Sequence, residues 1–155
     1  MKRVTNCILK HDHHILMLKK PRRGWYVAPG GKMEPGETIR QSVVREFYEE
    51  TGLTLVHPVL KGTYTFVIKE GDKTVEEWMM FTFFAEQFEG NLRPFSEEGQ
   101  LEWVPLDEVF QKPMAEGDLN IFEHVLNEKE DMTYGTFYYT PEYKLLSQYF
   151  DPVNV

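Results

Sequence analysis

The sequence predicts an α/β fold in which a mixed β-sheet lies between helices. Apolar, β-branched and aromatic runs typical of strands recur along the chain, and two segments have the pattern of helices. Strands interspersed with helices favour a layered sandwich. The 155 residues contain no internal repeat or linker, so we expect one domain over residues 1–155 with a single sizeable core.

Strands are predicted where apolar or aromatic residues lie between turn residues. They cover residues 3–9, 14–19, 59–69, 75–86, 101–105, 134–140 and 144–150. The first two strands flank a His-Asp-His turn, so we expect its histidines (His11, His13 and His14) to be turn residues and not metal ligands. A Glu-Gly-Asp turn at 70–72 indicates a hairpin. Residues 105–108 begin a helical turn, and Pro141 joins the last two strands.

Two helices are predicted. The first begins after Thr38, where Gln41 completes a capping box, and ends before Gly52, which suits the left-handed position past a helix end. The second covers about Asn120–Glu128, with its apolar residues on one side. Ahead of the first helix, residues 29–32 and 34–37 are rich in Gly and Pro and are interpreted as turns, not helix or strand.

The segment GKMEPGETIRQSVVREFYEETGL, residues 31–53, is the most informative about function. Within its helix Glu46, Glu49 and Glu50 stand at i, i+3 and i+4, so their carboxylates share one face. A solvated acidic surface is the alternative, but the caps on both sides of the segment favour metal binding. Carboxylates on a rigid element suit Mg²⁺, and Mn²⁺ could use the same oxygen ligands.

These residues fit the pattern G-x5-E-x7-R-E-U-x-E-E-x-G-U, where U is bulky and apolar, and the chain therefore resembles the Nudix hydrolases. The resemblance implies an α/β/α sandwich that cleaves a nucleoside diphosphate linked to another group. It also implies that the Gly31 carbonyl joins the three glutamates as a metal ligand. Arg45 is implied to brace the glutamates with Glu37 as its partner; the alternative is a surface pair with Glu49.

Beyond this segment the chain is similar to MutT-type enzymes that hydrolyse 8-oxo-dGTP. Those enzymes place an acidic residue five positions before a Trp, where it joins the metal site or activates water. Glu98 holds that position before Trp103, with Glu97 beside it. The resemblance leaves the general base open between Glu49, Glu46 and Glu98.

The purine-binding segment of these relatives is altered in this chain. Ala115 stands where they carry a Trp, and Asp118 alone of their acidic pair has a counterpart. We therefore expect Asp118 to bind substrate, with base stacking moved to Tyr26, Phe66 or Phe84. The lost Trp weakens the expectation of selectivity for 8-oxo-guanine.

The formal net charge of -8 argues against broad nucleic-acid binding but fits a polyphosphate that arrives with divalent metal. One basic island precedes the Gly-rich segment: Lys19, Lys20, Arg22 and Arg23. It is either a solvated turn or a means of steering phosphates into the site. Arg23, and Lys32 next to Gly31, are candidate substrate-binding residues.

The sequence gives only partial information about the cellular compartment and the oligomeric state. A lone Cys7 in an apolar strand excludes an internal disulfide and is expected in the core, so a cytoplasmic location is the simplest reading. No apolar run approaches the length of a membrane span, and no membrane partner is expected. The sequence leaves the oligomeric state open between a monomer and a homodimer.

The resemblance implies a Mg²⁺-dependent enzyme that hydrolyses a nucleoside triphosphate, canonical or oxidised, to the monophosphate and pyrophosphate. Residues typical of the ADP-ribose, diadenosine polyphosphate and NADH types are absent. One alternative is removal of pyrophosphate from RNA 5′-triphosphate ends, with the basic island receiving the RNA. The alternative from another class is a catalytically silent domain that senses nucleotides, disfavoured because the glutamates are complete.

Overall fold

A mixed β-sheet with a helix on each face forms the frame of the molecule, as the sequence predicts. The computed structural model describes residues 1–127 and 132–151. Glu128, the predicted end of the second helix, and residues 152–155 of the predicted domain lie outside the described residues. No helix in the described part of the chain is long and apolar enough to cross a membrane.

Most of the strands and helices are joined by short connections. The strands among the described residues are β1 (Lys2–His11), β2 (His14–Lys19), β3 (Tyr26–Val27), β4 (Gly30–Lys32), β5 (Leu53–Val56), β6 (Val59–Glu70), β7 (Lys73–Ala85), β8 (Gln87–Gly90), β9 (Gln100–Pro105), β10 (Thr133–Tyr139) and β11 (Leu145–Asp151). The helices there are α1 (Ile39–Thr51) and α2 (Glu116–Leu126), with a 3-10 helix at Leu106–Gln111. The predicted helical turn after Pro105 is therefore confirmed.

The main sheet runs in the order β11-β10-β6-β7-β1-β2-β3. β4 adds to β1, and β9 adds to β2. The pairs β1–β7 and β6–β10 are parallel, while the other pairs are antiparallel, so the predicted mixed sheet is confirmed. A separate two-stranded sheet joins β5 to β8. The predicted hairpin at 70–72 connects β6 and β7.

Two hydrophobic cores lie on opposite faces of the sheet. Side chains alternate between faces along a strand, and β1 shows this directly: Ile8 packs in the core that contains Phe122 of α2, whereas Cys7 packs in the core that contains Phe47 of α1. Cys7 is fully buried and free, as the sequence predicts. Each helix thus covers one face of the sheet.

The caps of α1 match the sequence prediction. The Thr38 hydroxyl accepts a hydrogen bond from the Gln41 backbone N–H at 3.1 Å, and the Gln41 side-chain oxygen accepts one from the Thr38 N–H at 2.9 Å. At the other end Gly52 has φ +82° and donates to the Tyr48 carbonyl at 2.8 Å. These caps fix both ends of the helix that carries the glutamates.

The prediction of a turn at residues 29–32 was wrong for Gly30–Lys32, which form β4. Gly31 is opposite Thr5 of β1 in an antiparallel pair. A Cβ atom at Gly30 would collide with the backbone of β1, so only glycine allows this close approach. The sequence also gave no indication of β3, β5 and β8, which have only two to four residues each.

The second helix begins at Glu116, four residues before the predicted Asn120. Gly117 explains the earlier start, because its backbone N–H donates to the Tyr139 hydroxyl at 2.7 Å and its lack of a Cβ admits that ring. A partner distant in sequence thus stabilises the first turn. Asp118, expected in a loop, lies in this turn of α2.

Candidate active site

The first part of the site is a network around Arg45 on α1. Its Nε donates to Glu37 Oε2 at 2.6 Å and its Nη2 to Glu37 Oε1 at 2.9 Å. Nη1 donates to Glu46 Oε1 at 2.8 Å and to Glu49 Oε2 at 3.2 Å. Nη2 also donates to the Lys32 carbonyl at 3.1 Å. Both contacts considered for Arg45 are therefore present, and one guanidinium joins the preceding loop, β4 and the helix.

The charges in this network hold Glu37 ionised. The hydrogen bonds from Arg45, followed by one from the Glu34 backbone N–H, lower the pKa of Glu37 to about 2. In return the glutamates, Glu37 first, raise the pKa of Arg45. A bidentate pair of this kind fixes geometry as well as charge.

Gly31 lies directly against one of the carboxylates. A Cβ atom there would collide with the carboxylate of Glu46. Glycine at this position of β4 therefore leaves the space in which Glu46 sits. The candidate metal ligand Gly31 and the glutamate face of α1 are in contact.

Glu50 is the buried carboxylate of the group, with 9% of the residue exposed. Its Oε2 accepts a hydrogen bond from the Gly30 N–H at 3.1 Å. Burial, opposed by that hydrogen bond and by Lys20 and reinforced by the charges of Glu98 and Glu46, raises the pKa of Glu50 to about 7. A buried carboxylate next to like charges is stabilised by a bound cation.

An open cleft of about 590 Å³ is lined by these carboxylates and by the segment from Arg93 to Glu98. Its carboxylates include the predicted set of Glu46, Glu49, Glu50 and Glu98. Their oxygen atoms suit a hard divalent cation. In residues 1–127 and 132–151, however, no three Asp, Glu, His or Cys side chains already stand at metal-ligand spacing. Glu46 and Glu49 are both hydrogen-bonded to Arg45.

Glu98 connects this cleft to a second cavity. Its Oε2 lies 3.5 Å from the Nζ of Lys20, which lines the second cavity. The Glu98 N–H donates to the Ser96 hydroxyl at 3.1 Å, and Ser96 forms a bridge with Gly99. Lys20 thus stands where the carboxylate cleft and the second cavity meet.

The second cavity, of about 400 Å³, has aromatic walls, a basic rim and one carboxylate, that of Asp118. Asp118 is half-buried, and burial raises its pKa to about 6. No hydrogen bond from the described residues reaches its carboxylate. The cavity has the volume, the flat apolar walls and the available carboxylate that a nucleobase site needs.

The predicted stacking residues have other roles. Phe66 reaches this cavity, but Trp78 stacks on its ring at 4.2 Å and Phe137 at 5.1 Å, so little more than its edge is accessible. Tyr26 is buried in the core and donates to Glu102 at 3.2 Å. Phe84 lines a separate hollow beside α2. Neither Tyr26 nor Phe84 lines the cleft or the cavity.

Sequence reasoning missed Trp25, Trp78 and Tyr143, which line the cavity. For Trp25 a signal was available, because it lies between two candidate binding residues, Arg23 and Tyr26. The chain carries no such signal for Trp78 and Tyr143, because their place depends on distant strands.

The two basic candidates, Arg23 and Lys32, lie in different parts of the molecule. The Arg23 guanidinium lies 5.2 Å from the Trp25 ring and 5.0 Å from the Tyr143 ring, and it donates to the Glu142 carbonyl at 2.7 Å. It is part of the wall of the second cavity and does not line the carboxylate cleft. Lys32 is exposed at the end of β4, and its carbonyl accepts from Arg45.

Known proteins resemble this chain in sequence and in fold. Residues 1–125 match the model of the NUDIX domain. The chain is 50% identical over 155 residues to YvcI of Bacillus subtilis, an uncharacterized Nudix hydrolase, covering all of this chain and 98% of that protein. The crystal structure of a MutT protein from Bacillus halodurans superposes with a TM-score of 0.96 at 52% identity, over 99% of this chain and 100% of that chain. An 8-oxo-(d)GTP phosphatase of Mycolicibacterium smegmatis is 28% identical over 117 residues, 76% of this chain and 35% of that protein.

Proposed function

The chain belongs to the Nudix family of hydrolases, and on that premise we propose that it is a Mg²⁺-dependent nucleoside triphosphate pyrophosphohydrolase. Its products are the nucleoside monophosphate and pyrophosphate, and Mn²⁺ could replace Mg²⁺. Nudix hydrolases generally use divalent cations. The MutT-type relatives support a triphosphate substrate, and an oxidised base is one form to test.

One observation carries the proposal: five carboxylates line a single cleft. The buried one, Glu50, accepts a hydrogen bond from the Gly30 N–H and, among the described residues, none from a cationic side chain. Glu46, Glu49, Glu50 and Glu98, with the Gly31 carbonyl, would hold the metal. When bound, the metal neutralises phosphate charge and lowers the pKa of a water molecule. Without it, the negative cleft would repel a polyphosphate.

Residues of the chain itself position the metal ligands and take the proton from the attacking water. Arg45 holds Glu46 and Glu49 on one side of the cleft, so it is a positioning residue. Glu49 is more exposed than Glu46, and Glu98 lines the same cleft from the segment that follows Arg93. Either could take the proton from the attacking water, as could Glu46.

The second cavity determines which end of the substrate lies away from the carboxylate cleft. The nucleobase lies between Trp25, Trp78 and Tyr143, within reach of Asp118. Lys20, at the junction with Glu98, then meets the phosphate nearest the ribose. Val27 and Ala115 contribute no hydrogen-bonding side chains to this cavity, so base selectivity rests mainly on Asp118 and on ring contacts.

A set of candidate substrates tests the proposal. Canonical NTPs and dNTPs, 8-oxo-dGTP, ADP-ribose and triphosphorylated RNA are incubated with Mg²⁺ or Mn²⁺, and the products are separated. We expect NTP-type substrates to give the monophosphate and pyrophosphate. Glu49→Gln and Glu50→Gln should each lower kcat by at least about a hundredfold, while the exposed Glu89→Gln serves as control. Wild-type turnover in both cleft variants would refute the assignment.

Removal of pyrophosphate from RNA 5′-triphosphate ends is the second candidate. The observation that favours it is the exposed rim residue Arg22, which lines the cavity mouth where a chain leaving the first nucleotide would pass. Arg22→Glu should weaken RNA cleavage much more than NTP cleavage. Lys73→Glu, on the exposed β6–β7 hairpin, is the matched control. An equal effect on both substrates would reject this candidate.

A further inference from the structure

Two of the rings that line the second cavity belong to a row of side chains across the sheet. Trp78 of β7 is opposite Lys2 of β1 on one side and Phe66 of β6 on the other, and Phe66 is also opposite Phe137 of β10. The planes of Trp78 and Phe66 are 6° apart, and the Lys2 Nζ lies 4.7 Å from the Trp78 ring. Both faces of Trp78 and of Phe66 are therefore covered, so these two rings present only their edges to the cavity.

The rings of Trp25 and Tyr143 are arranged differently. They are perpendicular, at 88°, with centroids 6.4 Å apart, and the Arg23 guanidinium lies over one face of each. Tyr139 lies 6.0 Å from Tyr143, but no further ring or cation of the described residues lies against Trp25. Trp25 thus keeps one face that neither a ring nor a cation covers.

The remaining apolar residues of the cavity offer no such face. Tyr139 is only 1% exposed, so its ring is part of the core. Val27, Ala115 and Pro141 have no aromatic ring. The wall of the cavity therefore has one open aromatic face on which a planar group can lie flat, and that face belongs to Trp25.

Arg23 fixes the orientation of Trp25 by joining the turn before β3 to the turn between β10 and β11. Its Nη1 donates to the Glu142 carbonyl at 2.7 Å, whereas no backbone hydrogen bond within the described residues connects these two turns. Arg23 and Tyr143 have φ values of +69° and +64°. Residues other than glycine keep this conformation only where their surroundings impose it. The two turns and the guanidinium between them therefore form a specific clamp behind Trp25.

We propose that Trp25 is the surface on which the nucleobase of the substrate stacks, and that Arg23 and Tyr143 are positioning residues that hold its ring. The inference rests on the proposed function and identifies the residue of that site that binds the base. Stacking of a base on an aromatic face contributes about ten- to a hundredfold in affinity. A ligand that carries a base therefore depends on Trp25, and a polyphosphate without a base does not.

Trp25→Ala tests this surface with dGTP as substrate and tripolyphosphate, which has no base, as competing inhibitor. With Mg²⁺ we expect kcat/KM for dGTP to fall about tenfold, while the inhibition constant of tripolyphosphate stays within about twofold. Trp25→Phe keeps a ring and should stay within about threefold of wild type. Trp103→Phe, whose ring packs against His11 and Phe88, is the matched control and should change neither value. Unchanged kcat/KM in Trp25→Ala, or equal weakening of tripolyphosphate, would overturn the assignment.

Arg23→Ala distinguishes positioning of the ring from direct binding of phosphate. If Arg23 acts through Trp25, KM for dGTP should rise about threefold with kcat unchanged, because only part of the stacking is lost. The inhibition constant of tripolyphosphate should not change. Arg40→Ala, at an exposed arginine of α1, should leave all three values unchanged. Weaker inhibition by tripolyphosphate in Arg23→Ala would show that Arg23 contacts phosphate and would reject the positioning role.

Tryptophan fluorescence separates this inference from the proposed function, because it requires no turnover. The chain has three tryptophans, Trp25, Trp78 and Trp103. Binding of dGMP should quench the emission, whereas ribose 5-phosphate, which has no base, should not. Trp25→Phe should lose most of the quenching, and Trp103→Phe should keep it. This pattern without hydrolysis of any nucleoside triphosphate would contradict the proposed function alone. Hydrolysis of dGTP with full quenching in Trp25→Phe would contradict the stacking surface alone.

Discussion

Arg45 and Glu37 are joined by two parallel hydrogen bonds, of 2.6 Å from Nε and 2.9 Å from Nη2. The same guanidinium contacts Glu46 and Glu49, so the turn before α1 and the carboxylates of the helix are held by one side chain. This planar fork depends on the geometry of arginine and not only on its charge.

Arg45→Lys should therefore lower kcat/KM by about 10- to 100-fold and weaken Mg²⁺ binding, because an ammonium group cannot keep both contacts to Glu37. Metal titrations of activity measure both effects. Arg40→Lys, an exposed arginine on the same helix, should leave them unchanged. Wild-type metal affinity in Arg45→Lys would show that the fork is dispensable.

Metal removal should abolish turnover and lower stability together. At a Mg²⁺ concentration one hundred times the dissociation constant, the free energy of unfolding should rise by about 2.7 kcal/mol over the metal-free protein. Glu50→Gln should lose most of this increment, because it removes the buried carboxylate. Urea denaturation with and without Mg²⁺ measures the increment. Glu89→Gln should keep it, and an undiminished increment in Glu50→Gln would place the metal elsewhere.

Gly31→Ala should lower the free energy of unfolding, mainly because the added methyl group meets the side chain of Glu46. In the wild-type background the added methyl group meets the Glu46 carboxylate and should cost about 1 to 3 kcal/mol of unfolding free energy. In a Glu46→Ala background the same change should cost less than half as much. A double-mutant cycle by urea denaturation measures this coupling. Equal costs in both backgrounds would locate the strain in the backbone of β4.

Asp118 should make stability depend on pH in a defined direction. Burial raises its pKa from 3.8 to about 6, so the folded state binds the proton more tightly than the unfolded state. Its contribution to stability is therefore fully present below pH 4 and is lost as the pH rises through 6. At pH 8, Asp118→Asn should be more stable than wild type by about 1 to 3 kcal/mol.

The difference between Asp118→Asn and wild type should become small near pH 4, where both side chains are neutral in the folded state. Urea denaturation at pH 4, 6 and 8 follows the trend. Asp72→Asn, in the exposed β6–β7 turn, should show no such trend. A constant difference at all three pH values would mean that Asp118 keeps an ordinary pKa.

Local patterns in the sequence predicted the catalytic helix well. Thr38, Gln41 and Gly52 cap α1 as expected, because capping bonds join residues no more than four positions apart. The shared face of the three glutamates follows from helical periodicity alone. The mixed sheet and most strands were predicted too, since they depend on apolar patterning.

The substrate side of the site was predicted less well. Phe66 and Arg23 do line the second cavity, but their neighbours changed their roles: Trp78 and Phe137 cover the faces of Phe66, and the Trp25 and Tyr143 rings hold Arg23. Tyr26 and Phe84 point elsewhere. The presence of aromatic residues in a sequence does not show which faces of their rings remain exposed after folding.

The sequence by itself determined the family, the helix, the carboxylates and the arginine that holds them, because these features depend on spacing along one short segment. Only the tertiary structure decided that Gly30–Lys32 pair with β1, that Lys20 lies between the carboxylate cleft and the second cavity, and that Phe95 is exposed at the cleft. The physical reason is distance along the chain: helix caps and faces involve near neighbours, whereas a cavity is enclosed by residues that meet only after the sheet has formed.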